Sequence, residues 1–198
     1  QLKNLPDMCE VAIYRESYTI DSDYLDIEAM LNKIGITQDG MDGIKFSDKP
    51  ADVVEKKKAY VSFRNTPSDY TNNNTVSYTH DVYDAEPKFE VVFNSVLGTR
   101  NTPNEGGYSY GYMWTDASIS YFSITFEDSD KLKGKMGLLK DALFARFTKM
   151  GKILEKTNDT LNLMLKNGME AVVSYNQDSV TVQWGTLYED YDDEAEYD

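Results

Sequence analysis

The chain predicts an α+β fold: a mostly antiparallel sheet with two helices packed on one face. Three observations carry that prediction. Short runs of alternating apolar and polar residues recur along the 198 residues. Clusters of Asn, Asp, Gly and Ser separate those runs. Two stretches, beginning near Asp21 and Glu127, space their apolar residues three or four apart behind acidic cap residues.

The second of these stretches organises the C-terminal half. Ser118 to Phe126 alternates as a strand, with Ser120, Phe122, Ile124 and Phe126 on one face. Glu127-Asp128-Ser129-Asp130 supplies cap residues and the negative charge that a helix start favours. Leu132, Met136, Leu139, Leu143, Phe147, Met150 and Leu154 then form one helical stripe, loosened at its start by Gly134 and Gly137. Thr157-Asn158-Asp159 ends it. Leu161, Leu163 and Leu165 begin a meander, and Asn167-Gly168 predicts a two-residue type I′ hairpin that sets Leu163 opposite Val172 and Met164 opposite Ala171. Asn176 to Ser179 turns the chain into Val180, Val182 and Trp184.

The N-terminal half opens with a lead-in at Leu2 to Asp7 and a strand over Glu10 to Ile20. Asp21-Ser22-Asp23 caps a helix striped by Leu25, Ile27 or Glu28, Met30 or Leu31, and Ile34, and Gly35 stops it. Thr37 to Lys49 is a loop with a short strand at Ile44 to Phe46. Asp39 to Gly43 lacks calcium-loop spacing and is expected as a plain turn. Ala51 to Lys58 has room for one or two helical turns. Strands follow at Ala59 to Arg64, Thr75 to Tyr83 and Lys88 to Leu97, with a polar loop at Pro67 to Asn74.

The two halves echo each other. Tyr14, Asp21, Ser22, Asp23, Leu25 and Leu31 match Tyr121, Asp128, Ser129, Asp130, Leu132 and Leu138 at one constant offset. The echo is either recurrent cap chemistry or a tandem duplication of a β-α-β-β(-β) unit. The organisation expected is an N-terminal β-α-β-rich half over residues 1–105 and a C-terminal β-α-β-β-β half over 106–187, forming one continuous domain. An acidic segment completes the sequence over 188–198.

Charge narrows the partners. The net charge of −14 argues against direct binding of nucleic acid. Residues 131 to 156 carry eight basic side chains against two acidic ones, net +6, so the remainder of the chain holds −20. Glu189 to Asp198 carries seven carboxylates and no base. There is no apolar run long enough to span a membrane as a helix. Cys9 is the only cysteine and forms no internal disulfide. The first residue is Gln1, which fits removal of a leader. With 15 tyrosines, the composition leads to the expectation of a secreted or cell-envelope protein, a cytoplasmic one staying open.

Two candidate contact sites emerge. Tyr108, Tyr110, Tyr112 and Trp114 occupy every second position and share one face of a strand over Gly106 to Trp114. Such a row is either core or a platform for sugar rings or a protein hot spot. The acidic segment, with Glu189, Asp190, Tyr191, Asp192, Asp193 and Glu194, is suited to a charge-mediated contact, on the chain's own basic helix or on a basic partner. Catalysis finds no support in the residues. His80 is the only histidine and is expected to be structural or superficial, and Cys9 has no histidine partner suggested by any motif. No nucleophile elbow, phosphate loop, dinucleotide fingerprint or zinc spacing is present, and no cofactor or metal is expected. The expected function is a non-catalytic binding or assembly module that recognises a protein or glycan through the aromatic strand. The alternative is an acidic inhibitor or immunity-type charge mimic.

Overall fold

The computed structural model describes residues 25–61, 75–94, 96–102, 107–113 and 117–187, with 96–102 and 107–113 described as backbone. Helix α1 (Ile27–Ile34) opens the described chain. Its N-cap is Asp26, whose side chain accepts from the Ala29 N–H at 3.0 Å. Leu25 and Met30 hold the two positions of a hydrophobic staple and are both buried, which fixes the start at Asp26 rather than beside Asp23. Gly35 ends the helix in the left-handed conformation, as its sequence position predicts. Strands β1 (Gly40–Met41) and β2 (Ile44–Lys45) form a small hairpin, and α2 (Pro50–Lys57) comes next. Pro50 sits in the first turn of α2, where its missing N–H costs nothing.

The core is a seven-stranded sheet made of β3 (Thr75–Thr79), β4 (Lys88–Phe93), β7 (Ile119–Glu127), β8 (Gly151–Lys156), β9 (Thr160–Leu165), β10 (Glu170–Tyr175) and β11 (Ser179–Gly185). Their spatial order is β3-β4-β7-β11-β10-β9-β8, and every neighbouring pair is antiparallel. β5 (Val96–Thr102) and β6 (Gly107–Met113) pair with each other as a separate two-stranded ribbon. With three helices among the described residues beside this largely antiparallel sheet, the protein is of the α+β class. Strand β7 lies at the centre. The chain leaves it through helix α3 (Met136–Thr148), reaches the far edge at β8 and meanders back until β11 pairs with β7.

One face of the sheet is aromatic and aliphatic. Phe122 pairs with Trp184 and Val91, Ile124 with Val182 and Phe89, and Phe126 with Val180, all buried. Trp184 meets the Phe147 ring of α3 edge-on at 5.6 Å and Phe122 at 5.4 Å. Each fully buried Leu or Phe in such a face contributes about 1.5–3 kcal/mol relative to exposure. Leu139, Leu143 and Phe147 of α3, and Met30, Leu31 and Ile34 of α1, belong to the same apolar cluster. Arg146 ties the two helices, donating to the Glu28 carboxylate at 3.0 Å and the Asn32 side-chain oxygen at 2.7 Å. The opposite face carries Thr125, Thr181, Gln183, Val172 and Asn162, each half-buried.

Several expectations shift. Helix α3 starts at Met136, because Lys131 to Lys135 form turns that include Gly134 at φ +71°. It ends at Thr148, and Gly151 to Lys156 is the edge strand β8, so Leu154, expected on the helical stripe, is exposed. The hairpin after β9 has three loop residues instead of two: Gly168 sits at φ +85° and the Leu165 N–H donates to the Met169 carbonyl. Leu163 therefore pairs with Ala171, and Leu161 with Val173. This register puts buried residues opposite buried residues, where the predicted one would have turned β10 over. Ala59 to Val61 continues from α2 as turn and coil, not as the start of a strand. The strand expected to reach Tyr83 stops at Thr79, and the one expected over Lys88 to Leu97 breaks after Phe93. The Glu10 to Ile20 strand lies outside the described residues. The elements after the two echoing helices also differ: α1 leads into a small hairpin and α2, whereas α3 leads into a four-stranded meander.

Candidate functional site

A polar cluster forms where the β1–β2 hairpin, α2 and β3 meet. Asp42 and Gly43 are the two loop residues of the hairpin, at φ +50° and +78°, a type I′ arrangement that Asp-Gly suits. The Asp42 N–H donates to the Ile34 carbonyl at 2.8 Å, which hangs the turn on the end of α1. Its carboxylate oxygen Oδ2 is the common acceptor of three groups. Lys57 Nζ approaches to 2.6 Å, the Tyr78 hydroxyl donates from 3.1 Å, and His80 Nε2 lies at 2.9 Å. The Asp42, Lys57 and His80 side chains keep only 14%, 11% and 15% of their exposure. Burial, the Asp42 charge and the Asp42 hydrogen bond all push the Tyr78 phenol far above its ordinary range, so it stays a neutral donor.

The ring of His80 is held as firmly as its nitrogens. It stacks on Tyr60 at 4.9 Å and on Phe89 at 5.0 Å, and Phe89 stacks in turn on Tyr78 at 5.0 Å. Nδ1 lies 3.3 Å from the Asp81 carbonyl, so both ring nitrogens face acceptors of this chain. Lys57 also lies 5.4 Å from the centre of the Tyr78 ring. Chemically the arrangement is a clamp. Its donors converge on one carboxylate oxygen. Among the described residues, no group of three His, Cys, Asp or Glu is placed to hold a metal.

Of the residues singled out by sequence, Tyr108, Tyr110 and Tyr112 fall at alternate positions of β6, opposite Asn101, Thr99 and Leu97 of β5. Trp114, Cys9 and the acidic segment with Glu189, Asp190, Tyr191, Asp192, Asp193 and Glu194 lie outside the described residues. The polar cluster is a combination that sequence reading misses. Only the Asp42-Gly43 pair signals it, as a hairpin turn. The contacts to Asp42 come from 15, 36 and 38 residues away, and no local pattern links them. This is an α+β protein with a central seven-stranded antiparallel sheet and a part-buried Asp-Lys-Tyr-His clamp. No protein-family model, curated protein or solved structure matches the chain.

Proposed function

We propose that the protein is a non-catalytic binding or assembly module, exported from the cell, that recognises a protein or glycan partner through the aromatic row of β6. The observation that carries this is the β5–β6 ribbon. It pairs with itself rather than with the seven-stranded sheet, and Tyr108, Tyr110 and Tyr112 occupy alternate positions of β6. Flat aromatic side chains in such a row suit stacking on sugar rings or filling a partner's pocket at low entropic cost.

The second proposal, an acidic charge mimic that blocks a basic site, draws on the −20 carried outside residues 131–156. Salt separates the two, since exposed charges are screened within about 10 Å at 0.1 M. The internal echo stays with these proposals as a tandem duplication, supported by the six matched residues. The test immobilises the full chain and Tyr110→Ala, and probes both with an extract of the source material and a glycan array at low and high salt. A hot-spot tyrosine gives at least about a 30-fold loss of affinity in the variant, with little salt dependence. Equal binding by both chains would overturn the aromatic proposal, and binding lost only in salt would favour the mimic.

A further inference from the structure

Helix α3 and strand β8 build a basic surface on an otherwise acidic chain. Between them runs an open groove of about 540 Å³. Phe144 lies at its floor, Lys140, Lys149 and Lys156 stand around it, and Asp141 is on its rim. The ammonium groups of Lys140 and Lys156 lie 5.6 and 5.8 Å from the centre of the Phe144 ring. Lys140 is further held by the Asn158 carbonyl at 3.1 Å and lies 3.3 Å from the Asp141 carboxylate. Lys149 and Lys156 are exposed, and among the described residues neither has a carboxylate partner. Cations set around an aromatic floor suit an acidic peptide that carries aromatic side chains.

We propose that this groove is the docking site of the chain's own acidic segment, residues 188–198. The segment brings seven carboxylates and three tyrosines, which complements the groove in both charge and aromatic character. Geometry permits the contact. Leu187 follows β11 at the end of the sheet where Gly185 pairs with Glu170, and the Lys166 N–H donates to the Met150 carbonyl at that same end, where α3 passes into β8. β11 and β8 are three strand spacings apart, about 14 Å. The segment's eleven residues extend up to about 36–40 Å. That reach crosses the sheet end with enough chain left to run along the groove from Lys149 towards Lys156. Docked there, the segment covers the basic surface and holds it back from other polyanions. The inference is independent of the tyrosine row.

The test uses the full chain with Cys9→Ser and Ala195→Cys, a nitroxide attached at position 195, and amide spectra recorded at low and high salt. At low salt, amides of Lys149 to Lys156 lose intensity. They recover at about 1 M salt, where the screening length falls to about 3 Å. Lys149→Glu with Lys156→Glu abolishes the loss while the dispersed spectrum reports an intact fold. No loss on α3 or β8, or a loss that survives the double substitution, would overturn the proposal. A loss seen only between a spin-labelled chain and a separate isotope-labelled chain would also overturn it, by assigning the segment to a second copy.

Discussion

At the scale of single residues, Asp42 does most to join distant parts of the chain. Its carboxylate is the shared acceptor for a lysine, a phenol and an imidazole from α2 and the end of β3. Asp42→Asn keeps the tolerance of positive φ and removes the charge that Lys57 needs. Breaking a buried pair by removing one partner costs about 3–5 kcal/mol, so urea unfolding of Asp42→Asn should show a loss of that order. Tyr78 gives the cluster a pH signature. Its folded pKa is raised, so its stabilisation is fully present below the ordinary phenol value of 10.0 and is lost as pH rises beyond it. Unfolding free energy should therefore fall more steeply above pH 10 in the parent chain than in Tyr78→Phe, by up to about 1.4 kcal/mol per pH unit. Parallel slopes for the two chains would show that Tyr78 titrates normally.

At the scale of elements, two glycines separate backbone need from backbone tolerance. Gly168 closes the β9–β10 hairpin at φ +85°, which an L side chain adopts only with strain. Gly137 lies inside α3 with nothing near the position a Cβ would take. Gly168→Ala should cost about 1–2 kcal/mol, whereas Gly137→Ala should gain about 0.5–1 kcal/mol from helix propensity. Thermal unfolding of the two variants checks both signs. The same elements show what local pattern can and cannot carry. Alternation locates β7, β9, β10 and β11 because each is buried on one face more than the other. The loop length at Asn167-Gly168 escapes it, because a turn dipeptide reports positive φ without counting the residues around it. The helical stripe overruns into β8 because Met150 and Leu154 keep the helical spacing, while Gly151 and pairing with Leu161 to Leu165 decide otherwise. The Asp42 clamp is illegible for a different reason: its members come from three separate segments, the β1–β2 turn, α2 and the end of β3, and only the folded sheet edge brings them together.

At the scale of the whole molecule, β7 is the keystone. It pairs with β4 on one side and β11 on the other, so β3 and β4 share one sheet with β8 to β11. The β8 edge is guarded by Lys152, Lys156 and an irregularity between Ile153 and Glu155, devices that discourage edge-to-edge association. The β5–β6 ribbon, like the β1–β2 hairpin, pairs outside this sheet, and the proposed function rests on it. Hydroxyl-radical footprinting of the full chain, read residue by residue by mass spectrometry, tests that directly. The predicted result is strong labelling of Tyr108, Tyr110 and Tyr112 in the free protein, with the fully buried Trp184 as the internal unlabelled reference, and protection of the three tyrosines when a captured partner is added. Tyrosines labelled as weakly as Trp184 in the free protein would make the β6 row part of the core and contradict a docking role.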